Sequence, residues 1–457
     1  MKRILALFLA LCALLSLISC SSSIASTETA QEETKTKETT EVKETKEKGP
    51  ITIPEGYSAG WARVVVNPDN GTGLGGYSNA ETRLSTTILD DICLTATAIS
   101  DGTKVFLLIS GDFIGIGAGN YNQIAKIAES KFNIPPENII VNATHTHASA
   151  CIYATGTTGM ALYLRKLYPA ATELMETALR DLAPANLQIG EAHTQNLNYV
   201  RRYIEIKTDK FIGNWPDSDL DPTLYRHESQ PDTQLQVIRF DRSEKKDIVI
   251  CNWQCHPTNA GNSTSGEVSA DWIGALRKEV EKNEDVVFSY HQGSSGNLVS
   301  TGKLKGDKNN SDYIAHGKKV AAVVSEALDN TKLVQWAPFQ AEQVKFESTY
   351  NQRYMTENKL DHNTTKINLN VLSIGDVAFA SVPCEYHDSL GKGVKENSPF
   401  QMTFMCAYSN GAYSYVPSKE ACAYGGYEPN SYYFEVGTGE AWAAKLGKML
   451  NTQYNNK

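Results

Sequence analysis

Short apolar runs bounded by polar residues or glycine recur along the chain. Residues 105–110 ("VFLLIS"), 139–142, 236–240, 248–253, 286–290 and the pair 370–373 and 377–382 are rich in Val, Ile and Leu. Runs of that length and composition predict buried strands. Between some of them the apolar spacing lengthens to the helical period. Ile124, Ile127 and Ala128 share one face of a predicted helix over 121–131, and 162–182, 269–282 and 311–330 read as further amphipathic helices. Strands separated by helices predict an α/β fold, a mixed β-sheet core flanked by helices in a single large domain from residue 51 to 457. No internal repeat interrupts that reading. The glycine-rich "PDNGTGLGGY" (68–77) lacks the spacing and the Lys-Ser/Thr of a phosphate loop, so it is expected to be a flexible surface loop.

The first fifty residues follow a different pattern. Lys2 and Arg3 precede an apolar stretch over 4–18, too short to span a bilayer comfortably and placed where a secretory signal belongs. The closing Leu17-Ile18-Ser19-Cys20 is similar to a bacterial lipoprotein cleavage box, so residues 1–19 are expected to be removed and Cys20 to be lipidated, anchoring an extracytoplasmic protein to the bacterial cell membrane. Residues 21–50 hold seven Thr, seven Glu and five Lys with almost no apolar side chain. Such a segment cannot bury enough surface to offset its ordering entropy, and with Cys20 it reads as a disordered tether over 20–50.

Charge and cysteine content narrow the picture further. A formal net charge of −9 and pI near 5.6 leave no basic patch for nucleic acid. Seven cysteines remain beyond the tether, an odd number that requires a free thiol or a bond to another chain. Cys251 and Cys255 have no second pair at metal-site spacing, so they read as buried small residues or one disulfide.

The chemistry gathers where predicted strands end. "IIVNATHTH" leaves a strand with His145 and His147 two apart, and side chains two apart share a face, so both are expected on the same side. "IVICNWQCHPT" leaves another at His256, where Pro257 stops the ladder, and "VAFASVPCEYHDSLGKGV" leaves a third at Glu385 before a predicted helix. Strand ends are where open α/β sheets build sites. Two histidines and one carboxylate are the ligand type of many catalytic zinc sites. Each residue also has a plain structural reading: a hydrogen-bonded strand-end histidine, a carboxylate starting a helix, a surface histidine at 147. "QGSSGNLVS" (292–300) is not a nucleophile elbow, although Ser294, Ser295 or Ser300 could line a site. The tyrosines at 408, 413, 415, 424 and 427 form either an aromatic surface loop or a hydroxyl-lined wall.

Taken in order, these segments resemble the neutral ceramidase family over roughly residues 55–450. The resemblance rests on "DDICLTATAISDG" (90–102), "GDF" (111–113), "ATHTH" (143–147), "HPT" (256–258), "VSADWIGALRKEVE" (268–281), "QGSSGN" (292–297), "VPCEY" (382–386) and "NGAYSYVPSKEACAYGGYE" (410–428). It implies a zinc amidohydrolase acting on N-acyl amides such as ceramide. His145, His256, Glu385 and Tyr415 match the family's zinc ligands. His147, Tyr427 and Arg201 fall where family members contact the substrate, with His147 or Tyr427 as donor to a developing oxyanion and His147 as proton donor to the amine.

The chain also departs from the family. Ala148-Ser149-Ala150 stands where Ser-Gly-Pro is usual, and Pro383-Cys384-Glu385 where Pro-Gly-Glu is usual. Val299 occupies the register of an active-site Ser, with Ser300 one place on, and the chain ends soon after the tyrosine segment, so the resemblance is to the catalytic N-terminal domain. The ligand set is retained while the substrate-facing set differs. Three readings follow: a zinc amidase of N-acylated lipid, a zinc hydrolase of another amide or ester, and a ligand-binding lipoprotein without catalysis.

Overall fold

A computed structural model describes residues 49–457 apart from Ser78 and Thr155, and its folded unit runs from Ile51 to Lys457. The expected signal segment, Cys20 and most of the tether lie outside the described residues.

Three sheets carry the fold, each with one parallel strand pair at one edge. The first runs Ile139–Ala143, Val105–Gly111, Cys93–Ser100, Ser58–Val65 and Ala183–Pro184, parallel in the first pair and antiparallel in the rest. The second runs Val287–Gln292, Ile248–Trp253, Gln234–Asp241, Asn186–His193 and Lys332–Val334, again with the first pair parallel. The third runs Gln340–Thr349, Thr364–Ile374, Val377–Ser381 and Met402–Cys406, with the last pair parallel. The mixed sheets and flanking helices are the α/β architecture expected from the hydrophobic pattern.

The strands read as continuous apolar runs because both faces are buried. Along Val105–Gly111, Phe106 and Leu108 enter a central cluster with Ile140, Ile238, Ile250, Phe379 and Phe404, to which all three sheets contribute. Leu107 and Ile109 point the other way, into a cluster with the helices Ala118–Phe132 and Met160–Arg180. The second sheet is covered by Asp271–Glu284 and Tyr313–Asp329 through Trp272, Leu276, Val320 and Val324. Asp312 caps the latter helix, its side chain accepting from the Ile314 and Ala315 amides. The third sheet is covered by Asp388–Glu396 and Thr438–Asn455.

The edge strands Ile139–Ala143, Val287–Gln292 and Met402–Cys406 converge, so that none is left as an open edge toward solvent. Asn142 makes the seam: its Oδ1 accepts from the Gln292 amide at 2.8 Å and its Nδ2 donates to the Ala407 carbonyl at 2.6 Å. Asn252 joins the second and third sheets by donating to the His291 and Met405 carbonyls and accepting from the Met405 amide. Asn370 joins the third to the first by donating to the Ile139 carbonyl. Every parallel pair thereby directs its carboxyl ends to one place.

All seven cysteines of the folded unit are free thiols, and Cys251 and Cys255 are fully buried, so those two are packing residues.

Candidate active site

Each of the first two sheets delivers a histidine from one strand of its parallel pair and the carbonyl that orients it from beyond the other. His145 follows Ile139–Ala143, and its Nδ1 donates to the Ile114 carbonyl at 2.6 Å, beyond Val105–Gly111. His256 follows Ile248–Trp253, and its Nδ1 donates to the Ser295 carbonyl at 2.7 Å, beyond Val287–Gln292. The third sheet delivers Glu385 beyond Val377–Ser381 and Tyr408 beyond Met402–Cys406. Tyr408 stacks on the His145 ring, centroids 4.0 Å apart, and its hydroxyl meets Ser295 Oγ at 2.8 Å.

A carbonyl oxygen only accepts, so both Nδ1 atoms carry a proton, and each imidazole in its neutral form presents the Nε2 lone pair to the centre. Those two Nε2 atoms stand 3.2 Å apart, and Glu385 Oε2 stands 3.2 Å from each. Three acceptors with no proton among them repel unless a cation sits between them. Ligands about 2.0–2.1 Å from zinc at tetrahedral angles stand roughly 3.3–3.4 Å apart, so the spacing fits that ion. Protonation suits ligation too. Burial, reinforced by Arg201, lowers the His256 imidazole to about 4. Neutral imidazoles and an ionised carboxylate are the metal-binding forms.

His145 reaches this position by leaving the strand. The ladder ends at Ala143, and His145 has φ of 71°, a left-handed conformation rare outside glycine. The alternation argument for His145 and His147 therefore does not apply; their rings meet edge to face, centroids 5.1 Å apart, because the backbone turns. His147 is buried, contrary to its reading as a surface residue. Nearest nitrogens of His145, His147 and His256 all lie within 4.8 Å of one another, a looser group than the 3.2 Å triangle. Neither ring nitrogen of His147 has a hydrogen-bond partner, and burial with the neighbouring imidazoles holds it well below its ordinary range, so it is neutral.

A cavity of about 860 Å³ opens above these residues. His145, His147, Glu385, Tyr408, Tyr415 and Tyr427 all line it, so most of the sequence-derived set comes together. Tyr415 pairs directly with Glu385 in the short parallel ladder of Cys384–Tyr386 with Tyr413–Val416, and its ring stacks 6.5 Å from that of His256. Burial raises its phenol well above the ordinary value.

Arg201 is placed differently. It does not line the cavity; its Nε donates to Glu428 Oε1 and its Nη2 to the Gly296 carbonyl, both at 2.9 Å. From there its guanidinium backs the rings of Tyr415 and Tyr427, at 5.5 and 5.6 Å from their centroids. Tyr424 also points elsewhere, bonding to Asp209. Three departures from the family pattern lie outside the cavity as well. Val299 pairs with Tyr199 in a short ladder, Ser300 donates to Asn259 Oδ1, and Ala148, Ser149 and Ala150 are packed in the interior. Cys384 is the departure that does line it.

The sequence reading missed the glycine loop. Gly75 and Gly76 line the cavity instead of forming a flexible surface turn. Gly76 has φ of 115°, and a Cβ there would fall 2.7 Å from the His147 ring. Tyr77 packs edge-on to His147, and Arg83 locks the loop by donating to the carbonyls of Gly75, His147 and Ser265. The paired glycines were the available signal, but close approach to a histidine seventy residues away leaves no local pattern.

No family model matches the sequence, and no curated protein matches it. Solved structures do, two ceramidases among them. The neutral ceramidase from Pseudomonas aeruginosa superposes with a TM-score of 0.69 at 15% identity, over 87% of this chain and 74% of that one. A ceramidase complexed with C2 gives 0.69 and 15%, over 88% and 76%. The backbone of this chain thus has the neutral ceramidase fold.

Proposed function

We propose that this chain is a zinc-dependent amidohydrolase that cleaves an N-acyl amide, with His145, His256, Glu385 and Tyr415 holding the ion. The observation that carries the reading is the triangle of Nε2, Nε2 and Oε2 atoms, 3.2 Å on each side, with both Nδ1 atoms turned outward to backbone carbonyls. The ceramidase fold supports the bond class, because both of the similar structures named above are enzymes named for ceramide, an N-acyl amide. When bound, zinc supplies a Lewis acid for the amide carbonyl and makes water nucleophilic near neutral pH.

The chain's own residues do the rest. The Ile114 and Ser295 carbonyls fix the two imidazoles in the tautomer that binds a cation. His147, neutral and without a hydrogen-bond partner, is free to take the proton that the attacking water releases and to hand it on to the departing amine. Tyr427 offers its hydroxyl to the oxygen that gains charge. Arg201 is a positioning residue that holds the Tyr415 and Tyr427 rings against the cavity.

Metal analysis of purified protein tests the reading. Stoichiometric zinc is expected in the native chain, with loss of both metal and amide hydrolysis in His256→Ala. Zinc-free protein whose His256→Ala variant keeps its metal content and activity unchanged would overturn it.

A further inference from the structure

The composition of the cavity wall speaks to the substrate. Among the described residues that line it, Ile114 is the only one with an aliphatic side chain larger than a methyl group. No Leu, Val, Met, Phe or Trp is present among them. A long acyl chain would find ring faces but no continuous aliphatic wall, and wherever it covered the hydroxyls, amides and carboxylates between them they would lose their water without gaining a partner. The wall is built from seven tyrosines, among them Tyr153, Tyr413 and Tyr433, interleaved with Asn79, Asn358 and Asn430. A tyrosine offers a ring face to C–H groups and a hydroxyl to polar ones. Next to the lining residue Tyr427, Trp215 is 55% exposed yet held in place, its ring 5.0 Å from that of Tyr427 and over the Arg201 guanidinium at 5.1 Å. Its neighbour Asn214 donates to both oxygens of the buried Glu428 carboxylate. An exposed indole anchored this way is a rigid stacking platform.

Charge argues in the same direction. Arg353 is the one Lys or Arg among the described lining residues, and it already donates to Glu357 and to the Tyr432 carbonyl. A free carboxylate on the substrate would find no unpaired side-chain cation there.

Resting on the amidohydrolase reading, we infer that the substrate is a neutral, polyhydroxylated ring compound with a short N-acyl group, an N-acetylated amino sugar or its oligomer. In the reaction the acetamido C–N bond breaks, the oxygen of water joins the acyl carbon to give acetate, and the proton passes to the amine.

The test uses purified, zinc-loaded protein with tri-N-acetylchitotriose, a palmitoyl ceramide in detergent and a set of N-acetyl amino acids, following amine release, and titrates the saccharide by calorimetry in parallel. The saccharide is expected to be deacetylated in preference to the others. Trp215→Ala is expected to raise its KM about three- to tenfold with kcat retained, the loss of one aromatic stacking contact. Preference for ceramide or for N-acetyl amino acids overturns the inference and leaves the amidohydrolase standing. Saccharide binding without turnover of any compound upholds the recognition and overturns the hydrolase. Absence of saccharide binding overturns the inference whatever else is cleaved.

Discussion

A methyl group at position 76 has no room. The backbone there is left-handed, and a Cβ would sit 2.7 Å from three atoms of the His147 side chain. Gly76→Ala is therefore expected to destabilise the protein by more than about 1 kcal/mol, the general result of placing alanine where φ is positive. Amide hydrolysis should fall further than stability, because relief comes by displacing the His147 ring. Urea unfolding and steady-state kinetics on the same variant separate the two effects, and an active, fully stable alanine variant would remove the glycine loop from the site. At this scale the sequence was informative about ligand types and silent about their neighbours. His145, His256 and Glu385 stand out as polar residues ending apolar runs. The carbonyls of Ile114 and Ser295, which fix the tautomers, come from backbone atoms that every residue carries.

Elements place these residues, and the helix Asp388–Glu396 shows how burial changes what a helix start means. A carboxylate in a first helical turn is ordinarily held ionised by the macrodipole. Asp388 is instead buried beside Asp232, and burial first, then that second carboxylate, push it up to about 8. Its Oδ2 accepts from the Asp232 amide at 2.9 Å. In the unfolded chain an aspartate titrates near about 3.9, so between about 4 and 8 the folded state holds a proton that the unfolded state has lost. Stability should therefore fall as pH rises through that window. Asp388→Asn, which keeps the shape without the ionisation, should flatten the slope; urea midpoints at pH 5 and pH 8 for both proteins check it. About half of the strands in the three sheets were legible: strand 248–253 coincides with Ile248–Trp253, and helix 311–330 with Tyr313–Asp329, whereas Ser58–Val65, Cys93–Ser100, Asn186–His193, Met402–Cys406 and the helix Thr438–Asn455 went unread. Gln340–Thr349 escaped notice because it is a mostly half-exposed edge strand, specified by ten paired residues of Thr364–Ile374 more than by its own pattern.

For the whole molecule, the question is what joins the tyrosine segment to the sheets. Glu428 does so from full burial, receiving Arg201 Nε, Arg202 Nη1 and Asn214 Nδ2. Burial alone would raise its pKa, but Arg201, His387 and Arg202 bring it down to about 2. Its contribution is thus present above the unfolded value near about 4.3 and is lost as pH falls toward 2. Glu428→Gln leaves two buried guanidinium groups short of a counter-charge, a loss expected to cost about 3–5 kcal/mol. The acid limb of the stability profile should flatten in the same variant. Thermal and acid unfolding of wild type and E428Q measure both; an unchanged acid limb would show that the cluster does not set it.

By itself the sequence determined the α/β class, because strands buried on both faces must be apolar throughout and helices covering them must be amphipathic, and both periods survive in one dimension. It also determined that the strong metal-ligating types leave the ends of three separate strands. Only the tertiary structure decided that those ends meet. His145 and His256 lie 111 residues apart, and their 3.2 Å separation depends on three edge strands stitched together by Asn142, Asn252 and Asn370. The tertiary structure also decided that Arg201 stands behind the tyrosines, that the substituted Ala148–Ala150 stretch packs away from the cavity, and that Gly76 fits against His147. Each of those outcomes is set by contacts between residues distant in sequence, whose geometry no local pattern encodes.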